Sequence, residues 1–91
     1  MIILKTVDEI AVMAQASRVV AETLEVLKKA VRPGITTDEL DRLAEQEIRA
    51  RGARPAFKGY RSYPKTLCAS VNEQVVHGIP SKRVLKEGDI I

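Results

Sequence analysis

The sequence is poor in the residues from which disulfide scaffolds and metal centres are built. Its 91 residues include one cysteine, one histidine and no tryptophan. A single cysteine cannot form an intrachain disulfide, which excludes a disulfide-stapled fold and is compatible with a reducing compartment. No stretch approaches the roughly 20 apolar residues that span a bilayer, and Met1–Leu4 is too short for the core of a signal peptide. We therefore expect a soluble, cytoplasmic protein.

Aromatic side chains make up only 3% of the sequence, and all three lie in one short stretch, at Phe57, Tyr60 and Tyr63. A core usually draws its large side chains from every element of the fold. The clustering therefore predicts a local pocket. The core of the single domain that this length allows must come from the leucine, isoleucine, valine and alanine residues that dominate the 45% apolar content.

Neither sign of charge dominates the chain, because 15 Lys and Arg residues face 12 Asp and Glu residues, for a net charge of +3. The densest basic stretch covers residues 49–54 and continues at Lys58 and Arg61. Such a stretch could contact phosphate groups or form a solvated rim, and no RNA-binding signature accompanies it. Both interpretations remain open at this point.

The first half of the chain predicts two helices. Thr6–Glu9 and Thr36–Glu39 both have the residue spacing of a capping box. Apolar residues recur at three- and four-residue steps from Ile10 to Val31, and again from Leu40 to Ile48. An Arg-Pro-Gly segment should end the first helix, and Gly52 should cap the second in a left-handed conformation.

Two amphipathic helices joined by a short connection are expected to pack as an α-hairpin. The carboxylates of the second helix are most simply interpreted as its solvated face. They are Asp38, Asp41, Glu45 and Glu47.

From Ala53 onward the residues favour strands and turns. Thr66–Val71 predicts a strand, Asn72–Gln74 a turn and Val75–His77 a second strand, which together form an antiparallel β-hairpin. Leu85–Ile91 predicts a turn that opens a further strand, of which only the first two residues are present. The predicted fold class is α+β, with two helices followed by a β-hairpin, and we interpret the chain as incomplete.

The cysteine and the histidine lie nine residues apart in the predicted hairpin, at Cys68 and His77. Cys68 fits a small buried packing residue, and it also fits a nucleophile paired with His77, although no third residue is placed to orient the imidazole. His77 has no partners at a ligand-like spacing for a metal site. Together with the three aromatic residues, the pair would line a small apolar pocket with one polar group. A ligand side chain that contains sulfur would suit such a pocket.

The segment Gly59–Pro80 resembles the G-Y-x-x-Y-P-x-S-x-C-x-S-x-N-E-x-x-x-H-G-I-P motif of type I methionine aminopeptidases, with Thr66 in the place of the first serine. Val31–Asp41 and Leu85–Ile90 are also similar to that family, so the resemblance extends over nearly the whole chain. It implies the pita-bread fold and an enzyme that removes the initiator methionine from nascent polypeptides.

The resemblance also implies that the complete enzyme binds metal ions and that this part of it lacks the metal ligands. The family uses two divalent metal ions (Co, Mn, Fe, Ni or Zn), bound by two aspartates, one histidine and two glutamates. None of those ligands has a counterpart in this sequence. Residues 1–91 are therefore expected to be a single partial domain, the amino-terminal segment of the catalytic domain, and to be inactive alone.

Residue by residue, the resemblance assigns His77 as the catalytic imidazole beside the scissile peptide, where it also binds the substrate. Tyr60, Tyr63 and Cys68 match positions that line the methionine pocket. Phe57 is also assigned to the substrate-binding residues, at a position where the family commonly has a cysteine or another small residue. Asn72 and the glutamate after it match the turn that sets His77 in place.

The expected partner is a nascent peptide with an amino-terminal methionine, with a ribosome contact, no membrane and no specific nucleic acid, and the complete enzyme is expected to be a monomer. The alternative is a non-catalytic module of the same fold that binds the ribosome, RNA or a protein. The basic stretch near Arg49 is the feature that motivates this alternative.

Overall fold

The computed structural model describes residues 1–91 and contains two α-helices followed by a long irregular segment. Helix α1 covers Val7–Ala30 and helix α2 covers Thr37–Ala50. Neither is long and apolar enough to cross a membrane. A single 3₁₀ turn lies at Tyr60–Ser62. The two predicted helices are thus confirmed.

Both helices begin with the predicted capping boxes. In α2, the Glu39 amide donates to the Thr36 hydroxyl at 3.1 Å, and the Thr36 amide donates to the Glu39 carboxylate at 2.8 Å. The same reciprocal pair forms at the start of α1. Gly52 follows α2 in the left-handed conformation, with φ 76°, and its amide donates to the carbonyl of Arg49. These bonds satisfy backbone groups that a helix end leaves without partners.

The core lies where α2 meets the second half of α1. Its buried members are apolar and come from both helices, their connection and the irregular segment: Leu27, Ile35, Leu40, Ala44, Val71 and Leu85. At 1.5 Å per residue, α1 is about 36 Å long and α2 about 21 Å. Because α2 is shorter, it leaves the first half of α1 uncovered, and Ile10 and Met13 are 56% and 51% exposed. The apolar face of α1 is therefore buried only in part.

The accessible surface reflects this uncovered helix face. It measures 7050 Å² for a mass of 10.1 kDa, whereas a compact monomer of that mass exposes about 5,300 Å². Exposed apolar side chains of α1, of the residues that precede it and of the irregular segment all contribute to this surface.

The connection between the helices pairs with a late segment of the chain, which the sequence did not predict. Thr36 and Val84 form an antiparallel bridge. On one side of it, the Leu85 amide donates to the Ile35 carbonyl and the Gly34 amide donates to the Leu85 carbonyl, both at 2.8 Å. On the other side, residues 81–83 supply carbonyls to the first amides of α2. The start of α2 is thereby fixed.

The predicted β-hairpin is not formed, and three amides of its first predicted strand donate to side chains instead of to a facing strand. The amides of Thr66 and Leu67 donate to the Asp41 carboxylate, and the Val71 amide donates to the Gln74 side chain. One backbone hydrogen bond joins the first predicted strand to the residue that follows the second, from the Ala69 amide to the residue 78 carbonyl at 2.7 Å. Their turn does form, with Asn72 at φ 51°.

The further strand predicted at the end of the chain is also absent, although its turn is present. The Asp89 amide donates to the Lys86 carbonyl at 3.1 Å, and the Lys86 amide donates to the Asp89 carboxylate at 2.8 Å. Ile90 bonds to Asn72 instead of to a strand, since its carbonyl accepts from the Asn72 amide and its amide donates to the Asn72 side chain.

Candidate functional site

The three aromatic residues lie on one compact loop, residues 57–63, which we call the aromatic loop. The rings of Phe57 and Tyr63 meet edge to face, with their centroids 6.3 Å apart and their planes at 79°. Gly59, at φ 84°, donates its amide to the Tyr63 carbonyl at 2.8 Å and so closes the loop. Tyr60 points outward, is 61% exposed and carries the Arg61 guanidinium 5.3 Å from its ring centroid. The loop thus presents one packed ring pair and one open ring.

Tyr63 connects the aromatic loop to the segment that carries the cysteine. Its hydroxyl donates to the Leu67 carbonyl at 2.6 Å. Burial, and then the neighbouring Cys68 thiol, raise the pKa of this hydroxyl to about 12. The phenol therefore stays protonated over the physiological pH range and remains a donor.

Cys68 is exposed, so the expectation of a buried packing thiol is wrong. The residue borders an apolar groove of about 400 Å³ that separates it from the carboxyl-terminal part of α1. Most of the groove wall is aliphatic, from Leu24, Leu27, Val31, Leu40, Leu67 and Ile91. The single thiol therefore faces an open apolar surface.

His77 is exposed and has a left-handed backbone, with φ 53°. For a residue other than glycine this conformation costs on the order of 1 kcal/mol, and its neighbours must enforce it. The next residue supplies the constraint: Gly78 donates its amide to the Ser70 hydroxyl at 3.0 Å and accepts from the Ala69 amide at 2.7 Å. The imidazole makes no side-chain hydrogen bond within the chain, so both ring nitrogens are free to meet a ligand.

The turn before His77 is fixed from outside by two polar contacts. The Asn72 side chain donates to the Asp89 carboxylate at 2.8 Å, and Arg83 forms a bidentate ion pair with Glu73 at 2.9 and 3.1 Å. The ion pair with Arg83 lowers the pKa of Glu73. The hydrogen bond from the Asn72 side chain lowers the pKa of Asp89. The Asn-Glu pair of the motif therefore anchors the start of this turn.

The predicted site residues are linked through one segment but do not border one common hollow. Tyr63 contacts residues 67–68, and Ala69 bonds to the residue that follows His77. The groove beside Cys68 is lined neither by the two tyrosines nor by His77. Phe57 borders a separate hollow against α1. A methionine pocket shared by these side chains remains a prediction.

Sequence reasoning missed one set of residues at this site, the carboxylates on one face of α2. Asp38, Asp41 and Glu45 were expected in solvent, and instead they bind the backbone and side chains of residues 58–67. Their spacing of three and four residues, which puts them on a single helix face, was the available signal. Glu47, the fourth, pairs with Arg51 as a surface carboxylate would.

The chain has no cluster of three or more histidine, cysteine, aspartate or glutamate side chains that could hold a metal ion. Asp41 and Glu45 already accept hydrogen bonds from residues 58–67. His77 lies in a separate loop without a carboxylate partner. The residues present therefore do not fit a metal centre, and no chemical step of a metal is assigned to them.

The comparisons with known proteins agree on one family. The model of "Metallopeptidase family M24" matches residues 11–91. The chain is 58% identical over 92 residues to a methionine aminopeptidase of Clostridium acetobutylicum and 56% identical over 91 residues to methionine aminopeptidase 1 of Bacillus subtilis. Both alignments cover 100% of this chain and 37% of the relative. The chain thus spans a little over a third of the length of these relatives.

Solved structures give the same result. The crystal structure of methionine aminopeptidase from Thermotoga maritima matches with a TM-score of 0.94 and 43% identity, over 98% of this chain and 36% of that chain. The corresponding structure from Rickettsia prowazekii matches with a TM-score of 0.93 and 38% identity. Because the family model covers 81 residues, 11 to 91, this chain belongs to metallopeptidase family M24.

Proposed function

We propose that the chain is the amino-terminal part of a methionine aminopeptidase of the pita-bread fold. In this proposal its substrate is a nascent peptide that begins with methionine. The names of the relatives support the activity, and the M24 match supports a metal-dependent hydrolase. The divalent ions, drawn from Co, Mn, Fe, Ni or Zn, are proposed to bind elsewhere in the complete enzyme, because the residues of this chain do not fit a metal site.

The free imidazole of His77 is the observation that carries the proposal. A side chain that contributes to catalysis needs a fixed position and an unoccupied donor. The backbone of His77 is fixed by the contacts of Gly78 with Ala69 and Ser70, and its ring has no partner in the chain. In the proposed site His77 donates a hydrogen bond to the substrate and stabilises the negative charge that develops on the scissile carbonyl oxygen.

The aromatic loop and Cys68 are proposed to bind the methionine side chain. A thioether gains from contact with the edge of an aromatic ring and from apolar surroundings. Tyr60 is open to solvent, Tyr63 is fixed by its bond to the Leu67 carbonyl, and the Cys68 thiol is exposed beside it. Phe57 supports the Tyr63 ring from one side. In this arrangement one ring is free to contact the ligand and the other is fixed.

The alternative of a non-catalytic ribosome- or RNA-binding module has less support. Three cations of the basic stretch are paired with carboxylates: Arg49 and Lys58 with Glu45, and Arg51 with Glu22 and Glu47. Paired cations bind phosphate weakly, since the partner carboxylate must be displaced first. Cytoplasmic localisation and a ribosome contact stay predictions.

The proposal can be tested in a chimera in which these 91 residues replace the aligned residues of the Bacillus subtilis relative. With cobalt or manganese added, the chimera should release methionine from a Met-Ala-Ser peptide. His77→Ala should lower kcat by on the order of 10²-fold or more, as expected when a transition-state hydrogen bond is lost. Val75→Ala, a 94% exposed position in the same loop, is the matched control and should leave kcat unchanged.

A chimera that is folded by circular dichroism but releases no methionine would count against the proposed activity. An active chimera in which His77→Ala retains the parental kcat would remove His77 from the mechanism and leave the activity standing.

A further inference from the structure

Helix α2 contacts the loop that carries the proposed methionine pocket through three carboxylates on one face. Asp38 forms an ion pair with Lys65 at 2.9 Å. Asp41 and Glu45 follow at three- and four-residue steps and bind residues 58–67. A rigid helix therefore supports the loop at several points.

Asp41 makes the most constrained of these contacts. It is 5% exposed, and one of its carboxylate oxygens, Oδ1, accepts from two successive amides, Thr66 at 2.9 Å and Leu67 at 2.7 Å. Two convergent amides on one charged acceptor fix the orientation of the peptide plane between them. The next group along the chain is the Leu67 carbonyl, which accepts the Tyr63 hydroxyl at 2.6 Å. The orientation set by Asp41 is thus passed to the phenol.

Glu45 binds the same loop at two points. Its Oε1 atom accepts from the Lys58 ammonium at 2.7 Å and from the Thr66 hydroxyl at 3.1 Å. Lys58 follows Phe57 in sequence, so this carboxylate joins the start of the aromatic loop to the segment that leads to Cys68. The distance between the two walls of the proposed pocket therefore depends on Glu45.

We propose that Asp41 and Glu45 are positioning residues that set the methionine selectivity of the pocket by fixing the aromatic loop and the Cys68 segment on α2. This inference rests on the proposed function. Neither residue touches the substrate, and both act through the backbone and side chains that do. Their removal should loosen the pocket and weaken its discrimination between side chains, with a smaller effect on the step that involves His77.

The test uses the chimera described above and compares peptides that begin with methionine or leucine. Asp41→Ala and Glu45→Ala should each lower the ratio of kcat/KM for methionine over leucine by about tenfold, mainly through a higher KM for the methionine peptide. Asp41→Asn keeps a side-chain oxygen in place of Oδ1. Its ratio of kcat/KM for methionine over leucine should therefore lie close to that of the unmutated chimera. Gln46 is an exposed residue of the same helix, so Gln46→Ala should leave this ratio at the value of the unmutated chimera.

Stability is measured in parallel by thermal unfolding, because Asp41→Ala removes a buried acceptor. Should that variant fail to fold, Glu45→Ala, at a partly exposed position, carries the comparison alone. The inference would be overturned if the unmutated chimera is active and its variants lose stability but keep its methionine-to-leucine ratio. The proposed function would then still stand. An unmutated chimera that folds but is inactive would overturn both the inference and the proposed function.

Discussion

Replacing Gly78 by alanine should dislodge the loop that carries His77. A Cβ at this position would lie 2.4 Å from the Ala69 carbonyl oxygen and 2.7 Å from the Ser70 Cα. Both neighbours are backbone atoms, so neither can rotate away as a side-chain end can. The two segments must separate, and the hydrogen bonds from Ala69 to the Gly78 carbonyl and from Gly78 to the Ser70 hydroxyl must lengthen or break.

The expected cost follows from these contacts. Inserting a methyl group into a tight backbone contact costs about 1–3 kcal/mol, and each weakened hydrogen bond adds about 1 kcal/mol. A small gain from the lower entropy of the unfolded alanine chain offsets about 0.4–1 kcal/mol of this. We therefore expect Gly78→Ala to lower the free energy of unfolding by about 2–5 kcal/mol.

The assay is urea unfolding of the 91-residue chain, followed by far-UV circular dichroism of its two helices. Gly88→Asn is the control, since a Cβ there would meet nothing within 4 Å and asparagine tolerates the left-handed backbone at φ 91°. His77 is the only histidine, so its ring protons can also be followed individually by NMR. A Gly78→Ala chain that matches the control in stability and leaves those signals unshifted would refute the reasoning.

Two further outcomes are expected from the polar contacts of α2. Thr36→Ala removes the capping hydroxyl and should lower the free energy of unfolding by about 0.5–2 kcal/mol in the same urea assay. Thr6→Ala, at the uncovered end of α1, should cost less. Equal costs would contradict the packing of α2 described above. Lys58 and then Arg49 lower the pKa of Glu45 from 4.5 to about 2, so its ionised form contributes stability that is present above pH 4.5 and lost as the pH falls towards 2. The difference in urea midpoint between the parent and Glu45→Gln should shrink over that pH window, and a constant difference would argue against the ion pairs.

Local signals in the sequence were sufficient to predict the helices and their ends. The capping boxes at Thr6 and Thr36 and the left-handed Gly52 all involve partners within a few residues, which a short sequence window contains. The turn at Asn72 was predicted for the same reason.

Contacts between distant residues were not predictable in this way. A carboxylate such as Asp41, on a regular helix face, has the same pattern whether it meets water or the amide of Thr66, which lies 25 residues away. The valine and isoleucine residues favour extended backbone, but a strand also requires a facing partner. Within this chain the amides of residues 66–71 bond mainly to side chains, so the propensity does not produce a ladder.

The pairing of residues 34–37 with residues 81–85 has a consequence for how the chain acquires its structure during translation. The amides of Thr37 and Asp38 donate to carbonyls of Arg83 and Ser81, which are synthesised more than 40 residues later. A nascent chain that has not yet reached Ser81 must leave these amides to water, and the start of its second helix then depends on the capping box of Thr36 and Glu39 alone. The corner of the α-hairpin therefore closes only after residues 81–83 have been made, later than the two helices themselves.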